Sequence, residues 1–166
     1  ASRSTGGTNR QIFEAGAAIA QTRFGVAGGI GTGQWGLGAR RVDGSAAQTL
    51  VTSTLAYDTD FHLFYVAVDY ADASALVVLD GGNPDTASPF LSAGNTSDTN
   101  SYGLRIGCNV AMNGFAYVSV ATVISSSGSL PSVADRRRIE GWGAWACGLQ
   151  AKLPSDHPYK SAPPTI

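Results

Sequence analysis

Two runs constrain the fold more than any other part of the chain: residues 61–70 read FHLFYVAVDY and residues 75–80 read ALVVLD. Both are dense in aromatic and β-branched side chains, which pack well on a pleated, half-buried surface and poorly in a helix. The link Ala71-Asp72-Ala73-Ser74 is short enough to join them as a hairpin. The core is expected here.

The preceding segments follow the same rhythm. Strands are expected at residues 11–14, where Ile12 and Phe13 lie between polar neighbours, and at 17–26, 34–41 and 48–55, separated by turns at Gly28-Gly29 and Asp43-Gly44. This is an antiparallel meander. Residues 1–10 are polar and small, and read as a flexible arm ahead of one domain over 11–166. Residues 81–102, with Pro84, Pro89 and many Asn, Ser, Thr and Asp, read as a long surface loop. Strands at 104–107 and 115–124 (FAYVSVATVI) follow.

The end of the chain changes period. Ser132 stands where an N-cap is wanted, with Asp135 three residues on, and Ile139, Trp142, Ala146 and Leu149 recur at helical spacing up to the stop signal Gly148. A helix over about 132–148 is predicted, its apolar stripe turned to the sheet and Trp142 and Trp145 pinning it there. Four prolines between residues 154 and 164 then favour an extended tail laid along the domain.

Composition narrows the function. With 43% hydrophobic and only 14% charged residues, 21 Gly and 166 residues in all, the chain has enough core for one domain without a metal or disulfide. Eleven basic against twelve acidic residues give no field to draw in nucleic acid or an anionic membrane. Neither partner is expected. Cys108 and Cys147 permit one disulfide, yet two cysteines are equally compatible with a reduced protein. The opening at Ala1 suggests a processed chain or a piece of a longer one.

The C-terminal residues carry a family resemblance. Asp135 with the Arg136-Arg137-Arg138 run, then Ile139-Glu140-Gly141-Trp142, Gly148-Leu149, Leu153-Pro154 and His157-Pro158-Tyr159, resemble the signature of concanavalin A-like, laminin-G-like jelly-roll domains of phage and bacterial surface proteins. Phe61-His62 to Asp69, Asp80-Gly81 and Leu104-Arg105-Ile106-Gly107 look like further parts of the same pattern, so that it spans about residues 11–160. The resemblance implies an all-β, two-sheet antiparallel jelly-roll sandwich with one C-terminal α-helix and a Pro-rich tail. The family's extra opening strand has no counterpart before Ile12, and Cys147 stands where Trp is commoner. A partner chain or an upstream segment is expected to complete the sheet.

No enzyme is expected. The two histidines, His62 and His157, lie near no nucleophile motif, and Glu14 and Glu140, the only glutamates, are too far apart in sequence and element type to read as a glycosidase pair. His62 reads as a strand-edge residue and His157 as an anchor of the tail. Asp58, Asp60, Asp69 and Asp72 read as turn residues. The arginine run faces a helix N-terminus, which disfavours cations, so it needs carboxylate or carbonyl partners or solvent.

The reading that follows is a non-catalytic structural or adhesion module on a virion or cell surface, of decoration, tail or fibre type. Other virion or surface subunits are the expected partners, in a multimeric assembly with a virion-surface or extracellular location. The alternative is a carbohydrate-binding module of a secreted bacterial protein. For that, Trp35 and Tyr102 are the candidate stacking aromatics and Asn95 a candidate hydroxyl partner. No cofactor is required, although Asp80, Asp85 and Asp98 offer hard oxygen ligands of the kind calcium takes.

Overall fold

The computed structural model describes residues 10–16, 22–30, 33–42, 45–56, 58, 60–96, 103–108, 119–124 and 128–165. Among them the chain forms β1 (Arg10–Gly16), β2 (Thr22–Ile30), β3 (Gln34–Ala39), β4 (Gln48–Ala56), β5 (Phe64–Asp69), β6 (Ser74–Leu79), β7 (Asp85–Ala87) and β8 (Leu104–Ile106), then the helix α1 (Val133–Ala146). All strand pairs are antiparallel and fall into two sheets, ordered β4-β3-β2-β1-β8 and β5-β6-β7. The expected meander and hairpin are both present.

The core lies between the sheets. Leu37 and Ala39 of β3 meet Ala75 and Val77 of β6, with Phe24, Leu50, Phe64, Val66 and Val68 packed around them. Val77 is fully enclosed and Phe90 and Leu91 complete the cluster. Alternation along β5 puts Phe64, Val66 and Val68 on the core face, leaving Tyr65 and Ala67 for the other. The hairpin turn is set by Asp69, whose Oδ1 accepts from the amides of Ala71 and Asp72 at 2.9 and 3.1 Å.

Four expectations need correction. Gly28-Gly29 is not a turn but part of β2, where Gly28 pairs with Arg10 on one side and Trp35 on the other and the register shifts before Ile30. Ladder bonds to both neighbours override the turn preference, and the glycines mark a bulge instead. Residues 81–102 are not one loop: β7 pairs with β6, and Phe90 and Leu91 are buried because their amide and side chains fold back on the hairpin, with Phe90 N–H donating to Ala73 O at 2.7 Å. Residues 119–124 form no strand and are exposed; alternation alone does not make a strand without a ladder partner. The remainder of that expected strand, and residues 17–21 of the strand expected at 17–26, lie outside the described residues.

The fourth correction concerns α1. Its ends behave as the sequence predicts: Ser132 Oγ accepts from the Asp135 amide at 3.1 Å and donates to its carboxylate at 2.7 Å. Gly148, at φ 71°, closes the helix in a Schellman turn with Leu149 N–H donating to Ala144 O at 2.7 Å. The expected face is reversed. Trp142 is 48% exposed and Ile139 39%, whereas Arg136, Glu140, Gly141, Gly143 and Ala144 are buried. Small residues decide this: a Cβ on Gly141 would stand 2.6 Å from Tyr159, and one on Gly143 would stand 3.0 Å from Leu63. Only the glycine face permits such an approach.

β1 has partners on both sides, β2 and β8, so Ile12 and Phe13 lie inside the sheet. Among the described residues the edge strands are β4, β8, β5 and β7. Cys108 and Cys147 are both free.

Candidate functional site

Both histidines of the chain converge on one turn, Asp80-Gly81, which follows β6. Asp80 takes a left-handed conformation, φ 52°, that aspartate tolerates better than most residues. Its backbone N–H donates to Leu63 O at 2.8 Å, and its Oδ1 accepts from Leu63 N–H at 2.9 Å. The turn is thereby tied to the strand entering β5.

His62 sits between two carboxylates. Nδ1 lies 2.7 Å from Asp80 Oδ2 and Nε2 lies 2.9 Å from Asp58 Oδ1, with the ring 4% exposed. Carboxylates only accept, so the ring donates from both nitrogens and is an imidazolium. The Asp80 hydrogen bond raises its pKa most, burial opposes this, and the Asp58 hydrogen bond and both negative charges add to the rise. Burial pushes the Asp58 carboxyl up, yet the Asp60 amide and His62 outweigh it and leave that pKa lowered. The Trp35 indole packs edge-on against the imidazole at 5.5 Å.

His157 lies across the same turn in a different state. Its Nδ1 accepts from Tyr159 N–H at 3.3 Å, so the proton is on Nε2, which points at Glu140 Oε2, also 3.3 Å away. Burial lowers its pKa and the Arg137 charge lowers it further. Burial raises that of Glu140 against the pull of Arg136 and Arg137. Arg136 Nε stands 3.6 Å from Glu140 Oε1 inside the fold, so that one arginine of the run has a carboxylate beside it. Their charges also reach Tyr65, whose hydroxyl burial holds above its ordinary pKa.

The tail closes the joint. Leu153 and His157 are buried, and a Cβ on Gly81 would lie 2.8 Å from Leu153 and 3.0 Å from His157. Lys152 reaches back to Asp60 at 3.1 Å, Lys160 donates to the carbonyls of Ala151 and Leu153, and Trp145 Nε1 donates to Tyr159 O at 2.8 Å. His157 is thus buried within the tail, and the His62 ring, just ahead of the edge strand β5, is enclosed by the turn. A depression of about 200 Å³ opens beside the turn, lined by Gly81, Gly82, Asn83, Arg137, Pro154 and Asp156. It offers one cation, one carboxylate and one amide, and no hydroxyl, thiol or imidazole.

The sequence-derived ligand residues are not brought together. Trp35 is 6% exposed, packed on His62 and Phe64, so its face is closed to a sugar ring. The backbone carbonyl of Asn95 accepts from Arg41, whose Nε also holds Ser92. Asp80 is committed to His62 and Leu63, Asp85 lies in β7, and Tyr102 and Asp98 fall outside the described residues. Among the described residues no cluster of three or more His, Cys, Asp or Glu is placed to hold a metal ion, and no helix is long and apolar enough to cross a membrane. Compared with family models, with curated proteins and with solved structures, the chain matches none of them.

Proposed function

We propose that this chain is a non-catalytic structural or adhesion module of a virion or cell-surface assembly, a concanavalin A-like jelly roll acting through protein contacts. The observation that carries the reading is the reversed helix. Ile139, Trp142 and Ala146 line one outward stripe of α1, with Val133 also exposed at its start. A half-exposed tryptophan beside an exposed isoleucine is the composition of a contact surface, where aromatic residues supply most of the binding energy. Other subunits of the assembly are its partners.

Analytical ultracentrifugation over a wide concentration range tests this, because the single chain weighs 17.1 kDa. Association of the wild type, lost in Ile139→Lys/Trp142→Lys with the thermal midpoint kept, is the expected result. A wild type that stays monomeric, and that cross-links to no neighbouring subunit, defeats the reading. Of the aromatics expected to stack on a sugar, Trp35 is buried, and a glycan array with hits would favour that reading instead.

A further inference from the structure

The His62 bridge is more than a turn would need. It joins the segment before β5, through Asp58, to the turn after β6, through Asp80, and that turn is the floor on which Leu153 and His157 rest. Lys152, from the tail, returns to Asp60 of the first segment. The three pieces close a loop of contacts in which each link depends on the next. Among the described residues, the charged or titratable groups facing the ring are Asp58 from its own segment and Asp80 from the turn; β3 presents the uncharged Trp35 edge. Lys152 and Asp60 pair at the exposed margin, and His157 lies across Gly81.

We propose that the Asp58–His62–Asp80 bridge is a pH-dependent latch: the imidazolium holds the Asp80-Gly81 turn as the seat of the C-terminal tail, and loss of one ring proton releases the tail. Removing either proton turns a nitrogen lone pair onto a carboxylate oxygen less than 3 Å away. Neither carboxylate can turn aside freely, since Asp80 Oδ1 holds the Leu63 amide and Asp58 Oδ1 holds that of Asp60. Because the ring binds its proton more tightly in the closed form than at the ordinary value of 6.5, the latch is complete below that value and is lost as pH rises through the folded one.

The experiment is limited trypsin cleavage at Lys152 and Lys160, normalised to a small peptide substrate, alongside nitrogen-15 NMR of the His62 ring. Between the ordinary and the folded pKa, one proton is released on opening, so cleavage is expected to rise about tenfold per pH unit. In His62→Gln it should be fast and flat with pH. Asp58→Asn keeps the Asp80 half of the bridge, so it should fold, and its rise should begin at the same pH but level off at a lower pH and smaller total change, which preserves the test if His62→Gln is unfolded. A ring that titrates at its ordinary value, or a wild-type cleavage profile unchanged in Asp58→Asn, overturns the latch.

Discussion

The two sides of the Asp80-Gly81 turn hold the same residue type in opposite states. On one side His62 faces two carboxylates and must carry both protons; on the other His157 accepts a backbone N–H and is held neutral by burial and by the Arg137 charge. A histidine's charge is decided by what its nitrogens face. The comparison also shows why one side tolerates pairing and the other needs packing. His62 exchanges water for full hydrogen bonds, whereas His157 and Leu153 fill a space that the Gly81 backbone leaves open.

The largest break in this comparison is expected from Glu140→Ala. It leaves Arg136 buried without its carboxylate, which should cost about 3 to 5 kcal/mol in urea denaturation, most of it recovered in Arg136→Met/Glu140→Leu. A loss under about 1 kcal/mol would show that the pair is not desolvated. Next is Gly81→Ala, which combines a left-handed backbone with a Cβ driven into Leu153 and His157 and should cost about 2 to 4 kcal/mol. A variant as stable as the wild type would mean that the tail does not sit on the turn.

The histidines themselves should give opposite slopes. His62→Gln should cost about 1.5 to 3 kcal/mol near neutral pH and abolish the loss of stability that the wild type shows as pH rises above 6.5. His157 has a lowered folded pKa, so its contribution is lost as pH falls below 6.5, and His157→Gln should flatten that acid limb alone. Thermal midpoints of both variants across the range settle it; parallel profiles would erase the distinction. The smallest effect is expected from Trp142→Ala, about 1 kcal/mol or less, because the indole is half exposed. A cost of several kcal/mol would return Trp142 to the interior.

How much of this was legible beforehand depends on the range of the interaction. The hairpin of β5 and β6, the Asp69 turn, the Ser132 cap and the Gly148 stop all rest on residues within a few positions of one another, and each is where local chemistry places it. The His62 bridge could not be read the same way. Asp58 is near in sequence, but Asp80 reaches the ring only because β5 and β6 pair in the register Phe64↔Leu79. The clue was present, since two carboxylates bracket a histidine across a predicted hairpin, yet the same aspartates are ordinary turn residues.

The sequence by itself determined the β class, the antiparallel rhythm, the C-terminal helix and its two ends, because propensity, period and capping act over one or two turns of chain. Only the tertiary structure decided which face of α1 turns inward, since an apolar stripe with Ile139 and Trp142 competes with the close approach that Gly141 and Gly143 allow, and the neighbours Tyr159 and Leu63 settle that contest. Only the tertiary structure assigned a charge to each histidine. Proton affinity depends on groups brought to within 3 Å from distant parts of the chain, and no local pattern encodes that distance.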